Sequence, residues 1–302
     1  MLGVATPPCQ GNLAAGTFDD LLRADDEAFG RFFTDLEKLD LTPANTLFVL
    51  TTDEGDHYIA NGARPIDIGD LQPGIFGSNS HLYGPDPDAI GAALAKRGGA
   101  QALATREAMK ALFIASAADA RFPTLSAFSD AEATYVRAPC APCTRWNHGT
   151  IHPDITDIWL AFVGPGVRPG ALDVYTDHTD VVPTIRALLG LPASTEYDGV
   201  AITPAFKAQT SADLLRLRAA FKDVNAPFGA FGTRLLASST KGVLGGPDAR
   251  AAADARIRDL AAKRDALVGD MRAVLDGRTS TSGDQVRDLL QRAQALVAEA
   301  AR

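Results

Sequence analysis

The sequence is poor in several features that mark whole classes of protein. Among its 302 residues there are only three cysteines, three methionines and two tryptophans. No apolar run approaches the roughly 20 residues that a membrane-spanning helix needs. Lysine and arginine form no basic run that could neutralise nucleic-acid phosphates, and the formal net charge is -8. These absences predict a chain with no transmembrane segment and no nucleic-acid-binding surface.

The composition is otherwise that of an ordinary globular protein. Hydrophobic residues make up 46% of the chain and charged residues 22%. The opening residues do not have the pattern of a signal peptide, because they lack a basic segment and their apolar run is too short. The acidic balance remains compatible with a phosphate-ester substrate, provided that metal cations supply positive charge locally.

Two short apolar runs, residues 46–51 and 158–163, predict buried strands of a parallel sheet. A brief strand is also expected at 173–175. Apolar residues at helical spacing predict helices over residues 17–39, 86–97, 105–118 and 181–189. We therefore expect an α/β fold, with a mostly parallel sheet flanked by helices.

The pattern changes after about residue 205. Amphipathic stretches at 248–277 and 284–300 are joined by a short polar linker, which predicts a helical hairpin. We expect an α/β domain over residues 1–205 and a helical extension over 206–302. Packing is the expected role of the hairpin, and it offers a surface for homo-oligomerisation.

Acidic and histidine side chains concentrate at three places. The first is Asp53–His57, directly after the first predicted strand, the second is His148 with His152, and the third is Asp177–Asp180. Carboxylate and imidazole groups are suitable ligands for Zn²⁺, Mn²⁺ or Mg²⁺. A solvated acidic turn and structural histidines are the alternative interpretation. For His178 and Asp180 in the third cluster, helix capping and a buried hydrogen bond are the favoured interpretation.

Four segments resemble, in order and spacing, motifs of the alkaline phosphatase superfamily, which includes nucleotide pyrophosphatases and sulfatases. The segments are Thr51–Gly55, Asn147–Gly149, Trp159–Val167 and Asp177–Ile185. The first resembles the metal-binding turn of that family, with glutamate in place of histidine. The second is similar to the segment of that family that supplies another metal-binding histidine further along the chain.

The resemblance implies a metal-dependent phosphatase or phosphodiesterase that acts on a small phosphate ester. It implies two divalent cations, with Zn, Mn, Mg and Ca not distinguished, held by Asp53 and Glu54 on one side and His148 on the other. Two such cations would stabilise the attacking and leaving oxygens of an in-line displacement. Asp56 and His57 could instead form the metal-binding pair, but Asp53 and Glu54 are preferred because Gly55 then matches the family glycine.

In the preferred register Asp56 and His57 become additional ligands or supporting groups, as does His152. The family also needs a serine or threonine nucleophile behind a strand. Neither Thr6 nor Thr17 follows such a strand. We therefore expect that the catalytic nucleophile is not in this chain, which would then hold the C-terminal portion of a catalytic domain. The alternatives are a non-catalytic remnant that folds and associates, and a sulfatase or phosphomutase on the same fold.

Cys140 and Cys143 are separated by two residues. A thioredoxin-like redox pair needs a preceding strand and a following helix, and a zinc knuckle needs a second pair, whereas Cys9 is the only other cysteine. A short-loop disulfide is the preferred interpretation. With the family resemblance, it predicts a periplasmic or secreted location.

Overall fold

A computed structural model describes residues 17–71, 79–113, 122–137, 145–193, 197–279 and 282–302. The fold is mixed α/β, with short strands and helices interspersed up to residue 193 and a run of helices after residue 211. The strands are β1 Phe48–Thr51, β2 His57–Tyr58, β3 Arg64–Asp67, β4 Asn79–Leu82, β5 Ala100–Thr105, β6 Leu125–Ser129, β7 Ala133–Val136, β8 Trp146–Asn147 and β9 Leu160–Val163. The helices are α1 Thr17–Lys38, α2 Pro87–Arg97, α3 Arg106–Phe113, α4 Pro153–Thr156, α5 Val181–Leu188, α6 Ala212–Asn225, α7 Ala230–Leu244, α8 Pro247–Leu275 and α9 Gly283–Ala300.

The sheets are small, and the expected large parallel sheet is not present in the part of the chain that the structure describes. Strands β4, β6 and β5 form an antiparallel sheet in that spatial order. Among the described strands only β3 and β7 pair in parallel. The remaining pairs, β1 with β9 and β2 with β8, are antiparallel.

The two apolar runs predicted as parallel strands do form strands, but the predicted direction of pairing was wrong. Strand β1 pairs antiparallel with β9, with Phe48 opposite Val163 and Thr51 opposite Leu160. Most of their side chains are only half-buried. A four-residue apolar run carries no information about strand direction, because direction is set by a partner distant in sequence.

The strand predicted at 173–175 was also wrong, since these residues have no ladder partner among the described strands. The carbonyl oxygen of Tyr175 instead accepts a hydrogen bond of 3.0 Å from Nη1 of Arg218. The carbonyl oxygen that would accept a hydrogen bond from a neighbouring strand is thus bonded to a side chain of α6 instead.

The predicted helices are confirmed over most of their lengths. For α2, the Asp86 carboxylate accepts hydrogen bonds from the backbone N–H groups of Asp88 and Ala89, and Pro87 begins the helix. Both helices of the predicted C-terminal hairpin are present as α8 and α9. Helix α3 is described from Arg106 to Phe113, and residues 114–118 of its predicted range lie outside the described residues.

The helices after residue 205 share their apolar core with the preceding elements. The largest cluster of buried side chains combines β5 and α3 with α6 to α9. Leu217, Phe221, Phe231, Ile257 and Met271 are fully buried in it. This shared core means that α6 to α9 pack directly on the mixed α/β part.

Arg264 interrupts the apolar stripe of α8, and the structure shows how a charge is accommodated there. Its side chain is buried, and Nη1 donates a hydrogen bond of 2.8 Å to the carbonyl oxygen of Ala111 near the end of α3. The guanidinium also lies 6.0 Å from the ring centre of Phe231. Arg264 therefore joins α8 to α3 and α7.

Helix α1 lies at the outside of the molecule beside β1. The ring of Phe33 packs edge-on against that of Phe48, with centroids 5.5 Å apart. Phe29 and Phe32 are more than half exposed. Within the described part of the chain, no helix combines the length and the apolar character needed to cross a bilayer.

Candidate metal centre

Two segments far apart in sequence meet beyond the end of β1. The first is residues 52–57, here called the metal turn, and the second is residues 147–157, which include α4. Gly55 donates its backbone N–H to the carbonyl oxygen of Ile155 at 2.9 Å. His57 lies opposite Asn147 in the β2–β8 pair. The turn and the second segment are thus held by backbone hydrogen bonds, independently of any ion.

A buried amide fixes the second segment. Asn147 is 2% exposed, and its Nδ2 donates to the carbonyl oxygens of Ala131 and Ala133 at 2.7 and 3.0 Å. These bonds connect β8 to the start of β7. His148 and His152, which follow Asn147 in the chain, are therefore attached to a well-anchored segment.

His57, His152 and Asp154 form the candidate metal centre. One possible ligand atom from each of them lies within 4.8 Å of the other two. Nδ1 of His57 is 2.8 Å from Oδ2 of Asp154, and the rings of His57 and His152 have centroids 4.9 Å apart. Helix α4 begins at Pro153, so its first turn places His152 and Asp154 side by side.

The electrostatics of the cluster favour an ionised carboxylate. The hydrogen bond with His57 is the main cause that holds the pKa of Asp154 below its ordinary value, and the charge of the nearby His152 acts in the same direction. The side chain of Asp154 is 53% exposed and that of His57 is 19% exposed. Asp154 is therefore an accessible anion with a more enclosed imidazole beside it.

The donor set fits a transition-metal or zinc ion better than Mg²⁺ or Ca²⁺. Two imidazoles and one carboxylate are ligands that Zn²⁺ accepts, and catalytic zinc sites commonly keep three protein ligands and one open position. Mg²⁺ and Ca²⁺ prefer sets made of oxygen atoms alone. The exposed side of Asp154 would leave such an open position facing solvent.

The three side chains implied as metal ligands by the family resemblance lie beside this cluster but not in it. Oδ1 of Asp53 accepts from the backbone N–H of Glu54 at 3.0 Å. Oε2 of Glu54 accepts from the backbone N–H of Gly149 at 2.8 Å. Nδ1 of His148 lies 3.0 Å from Oδ1 of Asp56.

His148 and Asp56 thus form a second, more exposed pair on the same two segments. Their side chains are 62% and 51% exposed. The structure therefore brings together the first two histidine and acidic clusters of the sequence. The groups that the sequence offered as additional ligands, His57 and His152, form the tighter cluster.

Asp154 was missed by the sequence reasoning. A signal was present, because His152, Pro153 and Asp154 follow one another where a helix begins. Proline at the first position of a helix fixes the residue before it as an N-cap. The side chains at the cap and in the first turn then point to the same end of the helix.

The third acidic cluster has a structural role, but Asp177 and not His178 or Asp180 provides the helix cap. Asp177 accepts a hydrogen bond from the backbone N–H of Thr179 at 3.0 Å and caps a short 3₁₀ helix, His178–Asp180. Asp180 is fully buried. Cys140 and Cys143 lie outside the described residues, as does Cys9.

Comparison with known protein families, with characterised proteins and with solved structures found no match to this chain. Five imidazole and carboxylate side chains converge on two adjoining segments, namely His57, His148, His152, Asp56 and Asp154.

Proposed function

We propose that this chain carries a divalent-metal centre that serves the hydrolysis of a phosphate ester. The observation that carries the proposal is the grouping of His57, His152 and Asp154, whose possible ligand atoms lie within 4.8 Å of one another. A bound Zn²⁺ or Mn²⁺ ion would supply Lewis-acid stabilisation of charge on the phosphoryl oxygens.

The overall charge supports the need for a cation. The chain has a formal net charge of -8, and acidic groups crowd the metal turn. Without a cation, Asp53, Glu54 and Asp56 would repel a phosphate ester. With a cation held by His57, His152 and Asp154, positive charge would lie where the anionic group of the substrate must bind.

The His148–Asp56 pair supports a role in proton transfer. Asp56 accepts a hydrogen bond from Nδ1 of His148, which leaves Nε2 of the exposed imidazole free to take or give a proton. A carboxylate that accepts from Nδ1 in this way fixes the tautomer and the orientation of the imidazole. The pair is therefore suited to exchange a proton with a reacting oxygen of the ester through Nε2.

The resemblance to the alkaline phosphatase superfamily supports the same class of reaction. It implies two cations, one held by Asp53 and Glu54 and the other ligated by His148. His148 thus has two proposed roles, proton transfer and metal ligation, and they predict different numbers of metal ions per chain. One metal equivalent per chain favours proton transfer by His148, whereas two equivalents favour ligation by His148.

The test combines metal binding and turnover. Purified chain is stripped with a chelator, reloaded with Zn²⁺ or Mn²⁺, and analysed by calorimetry and elemental analysis. Hydrolysis of p-nitrophenyl phosphate and bis-p-nitrophenyl phosphate is then measured. The Asp154→Asn variant should lose metal and activity, while Asp157→Asn, which changes an exposed carboxylate three residues away, should retain both.

Three outcomes decide the proposal. Binding of metal with hydrolysis of either ester, both lost in Asp154→Asn, supports it. Binding of metal without hydrolysis by any loaded form, either of this chain or of a version extended upstream, rejects the phosphoesterase and leaves a metal site that only joins two segments. Absence of metal binding rejects the metal centre itself.

A further inference from the structure

A buried group of charges joins helix α6 to the segment that precedes α5. Nζ of Lys222 lies 2.7 Å from Oδ2 of Asp177 and 3.1 Å from Oδ1 of Asp180. Nη2 of Arg218 lies 2.8 Å from Oδ2 of Asp180. Asp180 is 0% exposed, the two basic side chains are 2–4% exposed and Asp177 at the edge is 24% exposed; these four groups are here called the buried ionic cluster.

Both carboxylate oxygens of Asp180 accept hydrogen bonds, which fixes the position of the segment before α5 relative to α6. Besides the two cations, Asp180 accepts from the backbone N–H of Val200 at 2.9 Å and from Oγ1 of Thr176 at 2.8 Å. A buried carboxylate keeps its charge only when several such partners surround it. Any displacement of the segment relative to α6 would break several of these bonds together.

His178 extends from this segment to the end of β1. Its Nε2 lies 2.9 Å from the carbonyl oxygen of Thr52 and 3.3 Å from Oγ1 of Thr51. A carbonyl oxygen can only accept, so Nε2 of His178 carries the proton and donates it. Thr52 is the first residue of the metal turn.

From Thr52 the hydrogen bonds continue through the metal turn. Oγ1 of Thr52 donates to the carbonyl oxygen of Glu54 at 2.9 Å. Glu54 then accepts from Gly149 N–H at 2.8 Å, and Gly55 N–H donates to Ile155 at 2.9 Å. The position of the Thr52 peptide is therefore connected to both segments of the candidate metal centre.

We propose that His178 is a positioning residue for the metal turn, and that α6 fixes His178 through the buried ionic cluster. The helical part of the chain would thereby set the geometry at which His57 meets His152 and Asp154. The effect on a bound metal rests on the proposed function, but the effect on the turn itself does not.

The first test is amide hydrogen exchange in the metal-free protein, resolved at the Gly55 and Gly149 N–H groups. The His178→Ala variant should exchange at least about tenfold faster at both amides, because the turn loses its hydrogen bond at Thr52. The His178→Gln variant should restore protection, because a side-chain amide can donate to the same carbonyl. Val182→Ala, an exposed change in α5, is the control and should exchange as the wild type does.

The second test measures the link to α6. Asp177→Asn removes the ion pair with Lys222 and keeps the size of the side chain. It should also accelerate exchange at Gly55, and this effect should largely disappear in the His178→Ala background. Additive effects of the two changes would overturn the link through His178. Unchanged exchange in His178→Ala would overturn the positioning role.

The third test is Co²⁺ binding followed by visible absorption. In the His178→Ala variant we expect roughly 10- to 100-fold weaker binding and an altered spectrum, as for other residues that orient ligands, with recovery in His178→Gln. An unchanged affinity and spectrum in His178→Ala would overturn the effect on the metal. Failure of the wild-type protein to bind Co²⁺, Zn²⁺ or Mn²⁺ would reject the proposed function, and the exchange measurements would still decide the positioning role.

Discussion

Asp177 shows how a single carboxyl group depends on the balance between burial and its partners. Burial alone would raise the pKa of Asp177, but the charge and hydrogen bond of Lys222 and the two hydrogen bonds from Thr179 outweigh it. The pKa of Asp177 in the folded protein is therefore below its ordinary value. The group binds a proton less tightly when the chain is folded than when it is unfolded.

This shift predicts a contribution to stability that depends on pH. It is fully present above the unfolded pKa of aspartate, about 3.9, and is lost as the pH falls through the lower folded value. We expect Asp177→Asn to reduce the free energy of unfolding at pH 7 and to make the protein less sensitive to pH below about 4. Urea unfolding at pH 7 and at a series of pH values below 4 measures both effects.

The matched control is Asp213→Asn, which changes an exposed carboxylate in the first turn of α6. It should leave the acid-dependent loss of stability as it is in the wild type. Equal acid sensitivity of Asp177→Asn and the wild type would contradict the role assigned to the Lys222 ion pair.

At the scale of elements, the contact between the metal turn and α4 depends on a residue without a side chain. A Cβ atom at position 55 would overlap the backbone carbonyl oxygen of Asp154. Because that neighbour is backbone, it cannot move aside without displacing α4. Only glycine therefore permits the close approach that brings His57 to His152.

We predict that Gly55→Ala separates the two segments and weakens metal binding by at least about tenfold, comparable to loss of a group that orients a ligand. Calorimetric titration with Zn²⁺ measures the change. Gly30→Ala is the control, because a Cβ there meets nothing within 4 Å. Alanine in the middle of α1 should be neutral or stabilising by up to about 1 kcal/mol.

Helix α9 offers an independent prediction about local structure. Its N-cap, Ser282, accepts from the backbone N–H of Gln285, and the side chain of Gln285 accepts in return from Ser282 N–H. Ser282→Ala should therefore cost about 1 kcal/mol of unfolding free energy. Thermal and urea unfolding measure this cost, and a variant as stable as the wild type would show that the capping box contributes little.

At the scale of the whole molecule, the mixed α/β part and the C-terminal helices are joined by apolar packing and by charge. Leu217 and Phe221 of α6 are fully buried in a core that also contains β5 and α3. Arg218 and Lys222 directly follow these two residues in the helix, and both donate hydrogen bonds to the buried Asp180. Helix α6 therefore presents both apolar and charged groups to the rest of the fold.

Removal of one buried cation should be far more damaging than removal of an exposed one. Lys222→Met leaves Asp177 and Asp180 without one of their partners and should cost about 3–5 kcal/mol. Lys241→Met changes an exposed lysine near the end of α7 and should cost little. Urea unfolding of the two variants provides the comparison, and similar costs for both would contradict the importance of the ionic cluster.

The helices illustrate what sequence alone could predict. The N-cap Asp86 with Pro87, and the glycine at 190 with a φ of 67° after α5, act within a few residues of themselves. The periodic apolar residues of α8 and α9 likewise identify their buried faces. Helix ends and buried helix faces can be predicted from such patterns because their physical causes lie within a few residues in the chain.

The candidate site was predictable only in part. The sequence pointed to both segments, and His57 and His152 were among the residues named. It could not show that His57 meets His152 and Asp154, while Asp56 meets His148. These contacts depend on Gly55 donating to Ile155, about 100 residues away, and no local pattern contains that information.

Sequence by itself thus determined helices α1, α2, α3, α5, α8 and α9, the positions of strands β1 and β9, and the two segments rich in metal-binding groups. Tertiary structure alone decided that β1 and β9 run antiparallel, that α6 shares a core and a buried ionic cluster with the preceding elements, and which side chains form the metal cluster. The physical reason is that propensity, capping and periodicity act between near neighbours. Strand pairing, burial of charge and ligand geometry arise between groups that only the folded chain brings together.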